Sequence, residues 1–289
     1  MIVVRHLAFI ADDLNRQRPK ECFGMFKKSI VVCMCSAMLF AATFGSACGD
    51  NNNNNNQEKT TNNDGGTSDG TTVTDDGSTG SYNRTKDSKF TESKTSTEFK
   101  GLMDVAGQND PFFLMGMGVR VKIIINVYAF GLYVEPLAAQ KELAAWKGKA
   151  KSELEKDDTF YDKLLKGKFS KMMRLKMTFD ASADDMAQAF DDSISSRIDK
   201  LIPEGERQAA KDALTKFKGF FDSPAKQGQE LLFIWQEDGK LVTIVDGTNK
   251  GTIDNAGLAL CLFDIYIGKE PINEDGKKDF ASGMSDLLP

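Results

Sequence analysis

The chain of 289 residues carries 37 Lys and Arg against 42 Asp and Glu, a formal net charge of −5 with its single histidine neutral. This balance leaves no broad basic footprint and argues against a nucleic-acid partner. The one histidine, His6, and four of the five cysteines precede residue 97. The remainder, with Cys261 alone, therefore excludes a Ser-His-Asp or Cys-His nucleophile, a His-containing zinc site, a Cys cluster and an internal disulfide. Carboxylates, tyrosines, arginine and lysine are the reactive inventory, and no metal or cofactor is expected.

Residues 1–24 place acids and polar groups ahead of the lysines of "MFKKSIVVCMCSAMLFAATFGSACGD", residues 25–50, which predicts that translation starts at Met25. That stretch has two lysines, an apolar run and small residues up to Cys48, the layout of an export signal over residues 1–48. "GSAC" resembles a bacterial lipobox, with Gly45 where leucine is usual, and the resemblance implies a lipid anchor on Cys48 and a place in the bacterial cell envelope. An uncleaved membrane helix is the alternative, although the run is short for a span. Residues 49–96 are Asn, Thr, Asp, Gly and Ser almost throughout and read as a disordered tether. Its reach as a flexible coil is about 35 to 40 Å. "NRT" at 83–85 matches a glycosylation sequon that carries little weight beside such an address.

The globular unit runs over 97–289. "VRVKIIINVYAFGLYV", 119–134, is rich in β-branched and aromatic residues between glycines and Pro136, and predicts central strand structure. Helix-forming residues follow from Pro136, with Leu137, Leu143 and Trp146 available for packing. "KGKAKSELEKDD" and "KLLKGKFSKMMRLK" read as a solvated lysine-rich face, with anionic headgroups as the alternative partner. "MMRLKMTFD" alternates Met173, Leu175, Met177 and Phe179 with polar positions, as a strand with one wet face does. Ser182 is placed to cap a helix carrying Met186, Ala189, Phe190 and Ile194 on one stripe, and "PEGERQAAKDALTKFKGFF" predicts a further helix. "QELLFIWQEDGKLVTIVDGTNKGTI" reads as a three-stranded meander. "DNAGLALCLFDIYIG" predicts a helix capped by Asp254, apolar on nearly every side, stopped at Gly268 and enclosing Cys261 as a small buried group. Antiparallel strands with helices grouped on one face make an α+β layer arrangement.

"GMGVRVKIIINVYAFGLYVE", "RLKMTFDASADDMAQAF" and "KQGQELLFIWQEDGKLVTIVDGTNKGTIDNAGLALCLFDIYIGKEP" together resemble the chalcone isomerase-like family, nearer its fatty-acid-binding branch than the plant chalcone-flavanone isomerases. The resemblance covers nearly the whole globular unit. It implies an open-faced sandwich, a large antiparallel sheet with a helical layer and a cleft between them. It also implies that Arg120, after the glycines, attracts an anion in the cleft. The enzymes carry a threonine where Tyr128 stands here, as tyrosine does in the fatty-acid-binding branch. An enzyme tyrosine and asparagine fall at Asp185 and Asp192, whose carboxylates would repel a phenolate.

An arginine in apolar surroundings is costly unless paired, and its planar fork suits a carboxylate, with Tyr128 as a second donor. In one continuous strand the two would lie about 26 Å apart, so they share a headgroup only if the chain bends between them. The expected protein is a membrane-tethered lipoprotein that binds a fatty acid or similar apolar carboxylate through Arg120 and Tyr128 without turning it over. The alternatives are an intramolecular lyase or isomerase of chalcone isomerase type, with Arg120 and Tyr128 as its residues, and an envelope interaction module. A structural ion pair for Arg120, core packing for Tyr128 and a phosphate loop at Gly116 and Gly118 are the competing readings; the last fails because the glycines precede a strand.

Overall fold

The computed structural model describes residues 81–289, together with two short paired strands, β1 (Thr72–Val73) and β2 (Thr79–Gly80). The expected export signal over 1–48, with Met25 and Cys48, lies outside the described residues, as does the first part of the expected tether. Its last part belongs to the fold. Strands β3 (Lys89–Glu92) and β4 (Thr97–Lys100) pair as a hairpin, and Tyr82 and Arg84 are buried. Arg84 lies over the rings of Phe90 and Phe113, and its Nε donates to Asp286 at 3.0 Å near the end of the chain. The tether boundary at residue 96 is therefore corrected: polar composition hid an arginine whose stem and fork are held by aromatic faces and a carboxylate.

Seven strands form one antiparallel sheet in the order β11 (Thr248–Asp254), β10 (Lys240–Val245), β9 (Glu230–Trp235), β8 (Lys171–Met177), β7 (Ile125–Val134), β6 (Phe112–Lys122) and β5 (Leu102–Met103). Nearest neighbours in the sheet are nearest in sequence. The meander over β9 to β11 is as predicted. The predicted strand over 119–134 is two strands: the chain reverses at Ile123 and Ile124, and Lys122 faces Ile125 across the turn. No Gly, Asn or Asp marks that turn, so the usual hairpin signal is missing. Ile123 holds φ at 62°, a conformation that a β-branched residue adopts only under strain.

The helices are α1 (Pro136–Leu143), α2 (Lys151–Leu154), α3 (Asp158–Lys166), α4 (Ala183–Leu201), α5 (Arg207–Lys218), α6 (Ala256–Ile267), α7 (Glu274–Asp279) and α8 (Met284–Leu287). Glu135, Asp157 and Ser182 cap α1, α3 and α4 by accepting backbone N–H bonds. Asn255, one residue after the expected Asp254, caps α6 through Leu258. Met186, Phe190 and Ile194 are buried on α4 as the spacing requires, whereas Ala189 is exposed and Phe179 lies beyond the end of β8, half open to solvent.

The main core lies between the helical layer and one face of the sheet. Phe130, Leu132, Met173, Leu175 and Phe233 come from the sheet, and Ile194, Leu258 and Leu262 from the helices. A smaller core on the opposite face gathers Ala129, Tyr133, Met172 and Ile234 with Phe99 of β4. The result is the α+β open-faced sandwich expected from the sequence, a large antiparallel sheet backed by helices. The lysine-rich stretch holds one departure from a solvated face. Lys171 is 2% exposed, donates to the carbonyls of Gly167 and Phe169, and sits between the rings of Phe169 and Trp235. Burial without a carboxylate at bonding distance pushes its amine down to about 7.

Candidate functional site

The turn at Ile123 and Ile124 brings together what a single strand would separate. Arg120 of β6 faces Tyr128 of β7 directly in the antiparallel register, so their Cα atoms are only about 5 Å apart. Directly opposed residues of an antiparallel pair share a face. Tyr128, Phe130 and Leu132 point into the main core, which places Arg120 on the helix-facing side of the sheet as well.

Gly118, Gly116 and their partners explain why glycines precede Arg120. A β-carbon on Gly116 would lie 2.2 Å from the carbonyl oxygen of Asp279, and one on Gly118 would lie 2.8 Å from the α-carbon of Gly276. The segment from α7 to Phe280 thus rests on bare strand backbone. The Met117 N–H donates to Asp279 Oδ2 at 2.9 Å and fastens the two together. Arg120 is the next residue on that face with a side chain, beyond the glycines over which α7 is seated.

Arg120 is half-buried, and among the described residues no carboxylate lies within ion-pairing distance of it. Its neighbours are phenols. Tyr128 is 8% exposed and Tyr266 of α6 1%, and their hydroxyl oxygens are 3.2 Å apart in a mutual hydrogen bond. Burial pushes both hydroxyls above the ordinary tyrosine range, and the positive charge of Arg120 pulls in the opposite direction on each. Arg120 thus lies within electrostatic reach of the pair. Tyr266 was not singled out from the sequence; its signal is that it and Asp264 are the polar side chains within the otherwise apolar "LCLFDIYIG". Behind the phenols, Phe130 packs against Tyr266 and Phe280 with ring centroids 5.1 and 6.2 Å apart.

Asp185 and Asp192 do not enter this region. Both are exposed, Asp185 accepting from Ser182 Oγ and Asp192 from Gln188 Nε2. The expected repulsion of a phenolate by these two carboxylates therefore has no basis in the fold. Cys261 is buried, and burial pushes its thiol up to about 12, which makes it an inert core group. Neither Arg120 nor Tyr128 lines the groove of about 330 Å³ bordered by α3, α4 and α6 or the depression between β4 and β8.

Residues 97–280 match the family described as chalcone isomerase-like. The chain belongs to that family. It is 29% identical over 207 residues to fatty-acid-binding protein 2 of Arabidopsis thaliana, covering 68% of this chain and 51% of that protein. It is 23% identical over 209 residues to fatty-acid-binding protein 1 of the same plant, covering 70% and 72%. A chalcone–flavanone isomerase of Clitoria ternatea is 28% identical over 186 residues, covering 62% of this chain and 84% of that protein. The chain thus spans about half the length of the first of these relatives. The crystal structure of an Arabidopsis thaliana fatty-acid-binding protein superposes with a TM-score of 0.59 at 22% identity, covering 70% of this chain and 99% of that one, and shows the same fold.

These matches correct the expectation of a membrane-tethered bacterial lipoprotein in the cell envelope. The relatives are plant fatty-acid-binding proteins and a plant isomerase, and among the described residues no helix is long and apolar enough to cross a membrane. A lipobox is a four-residue pattern, and "GSAC" lacks its leucine, so small residues ahead of a cysteine were too little to carry the assignment. The envelope interaction module falls with it. Similarity to two fatty-acid-binding proteins agrees with a non-catalytic member of the family.

Proposed function

We propose that this domain binds a fatty acid or a similar apolar carboxylate, with Arg120 holding the headgroup and the Tyr128–Tyr266 pair supplying a hydroxyl donor. The observation that carries the reading is a half-buried guanidinium, on the core side of the sheet and beside two phenols, without a carboxylate of the fold at ion-pairing distance among the described residues. Such a group gains more from an incoming carboxylate than an exposed arginine does, because its own hydration is already reduced. The buried rings of Phe130, Tyr266 and Phe280 supply apolar surroundings for the part of the chain nearest the head. The names of the two Arabidopsis relatives support the choice of ligand. Titration calorimetry with laurate tests it. Arg120→Gln, which keeps size and loses charge, is expected to weaken binding by about tenfold or more, the worth of one hydrogen bond to a charged group. Unchanged affinity overturns the headgroup role.

An intramolecular lyase of chalcone isomerase type is the second reading, favoured by the placement of Arg120 and two phenols around one point and by similarity to the Clitoria ternatea isomerase. There Arg120 would stabilise oxyanion charge as it develops. Incubation with a chalcone separates the readings. Arg120-dependent loss of the long-wavelength absorbance supports the lyase, and a stable spectrum removes it.

A further inference from the structure

The groove bordered by α3, α4 and α6 has no part in the reading above. Its volume is about 330 Å³, at the lower end for small-molecule sites, and Leu165, Leu201, Leu260 and Ile267 give it apolar walls. Leu260, Asp264 and Ile267 recur along one stripe of α6, and Tyr266, which meets Tyr128, lies off that stripe. The groove is therefore served by a different face of the helix from the phenol pair.

Two polar side chains at this groove are left incomplete by the protein. Tyr161 of α3 is 4% exposed, and its hydroxyl finds no hydrogen-bond partner among the described residues. Lys277 of α7 is 8% exposed; its ammonium lies 4.5 Å from the centre of the Tyr161 ring and, among the described residues, donates only to the carbonyl of Gly268, at 2.9 Å. A buried hydroxyl without a partner and a buried ammonium without an acid are both costly, and a single anionic oxygen group relieves both.

The charges around the groove point to the same sign of ligand. Asp264 is taken by Arg197, Glu270 by Lys200 and Asp162 by Lys166. Asp158 lies in the first turn of α3, where the helix dipole offsets a carboxylate. Of the acids that act on the Tyr161 hydroxyl from outside the groove, Glu155 and Asp279 are bridged by Lys151, and Glu274 is exposed in the first turn of α7. Of the lysines that line the groove, the exposed Lys269 and the buried Lys277 have no carboxylate at ion-pairing distance among the described residues, and Lys277 is the one held in the interior.

We propose that this groove is a second ligand site, which takes the carboxylate of a short amphiphile between the Tyr161 hydroxyl and the Lys277 ammonium and lays its alkyl chain along Leu165, Leu260 and Ile267. The site stands apart from the Arg120 region and does not rest on it.

Carbon-13 NMR of carboxyl-labelled decanoate titrated into the full chain tests this. A bound resonance is expected that Tyr161→Phe and Lys277→Met each weaken by about tenfold or more, and that Arg120→Gln leaves in place. A bound resonance lost only in Arg120→Gln belongs to the other site, so the two readings fail separately. Tyr161→Phe removes only the orphan oxygen, and its free form is expected to melt no lower than the parent, which keeps loss of binding distinct from loss of fold. If no resonance responds to Tyr161→Phe or Lys277→Met while both variants remain folded, the groove is a packing seam between helices and the proposal is overturned.

Discussion

Gly116 offers a sharp test of how the end of the chain is fastened to the sheet. In Gly116→Ala the new methyl lies 2.2 Å from the Asp279 carbonyl oxygen, 2.4 Å from its carbonyl carbon and 2.7 Å from the Phe280 nitrogen, all backbone atoms that no side-chain rotation can move aside. Ordinary contact begins at 3.4 Å, so the segment from α7 to Phe280 must retreat by roughly 1 Å. Overpacking of this kind costs about 1–3 kcal/mol. The retreat also stretches the bond from the Met117 N–H to Asp279, worth about another 1.5–3 kcal/mol for a charged acceptor. The expected loss is about 2.5–6 kcal/mol, read as a shift of the urea midpoint. Gly107→Ala is the control, because nothing lies within 4 Å of its methyl and only the positive φ of 81° is penalised, by about 1–2 kcal/mol. If Gly116→Ala unfolds at the same urea concentration as the parent protein, the segment is not seated on the strand as described.

Three further outcomes follow from single side chains. The Lys171 amine has an ordinary value of 10.5 and is held down at about 7, so between these values the unfolded chain binds the extra proton and stability rises with pH. Over that full window the rise is at most on the order of 5 kcal/mol; denaturation between pH 6.5 and 8.5 samples its lower part, below the range in which Cys261 and Tyr133, both pushed up to about 12, act in the opposite sense. Lys171→Met is expected to flatten the slope, and an unchanged slope assigns it to another group. Tyr128→Phe strands the Tyr266 hydroxyl and should cost about 1–3 kcal/mol by thermal or chemical denaturation, much of it recovered when Tyr266→Phe is added. Ile123→Asn relieves a left-handed β-branched residue that is 86% exposed and should stabilise by about 1 kcal/mol; destabilisation would show that the turn needs the isoleucine.

Strong local patterns were legible from the residues alone. Ser182 as a cap, the stripe Met186, Phe190 and Ile194, and the meander over β9 to β11 each follow from periodicity and turn chemistry that no distant contact overrides. The β6–β7 turn was not legible, because two isoleucines stand where a hairpin ordinarily announces itself with glycine or asparagine. That one omission kept Arg120 and Tyr128 about 26 Å apart on a continuous strand, although they are opposed in the fold. The boundary at residue 96 erred for another reason. Tyr82 and Arg84 sit among Ser, Asn, Thr and Lys, and only the distant Asp286 and the rings of Phe90 and Phe113 reveal what they do. Tyr266 and Asp279 likewise acquire their roles from partners more than a hundred residues away.

The central claim is that the guanidinium of Arg120 receives a carboxylate brought by a ligand. A crystal structure of the full chain with laurate tests it most directly. The account predicts a carboxylate oxygen within about 3 Å of an Arg120 guanidinium nitrogen, as in other charge-assisted pairs, with the alkyl chain running toward Phe130. Laurate seated elsewhere, with Arg120 turned to solvent in a fully liganded protein, would contradict it.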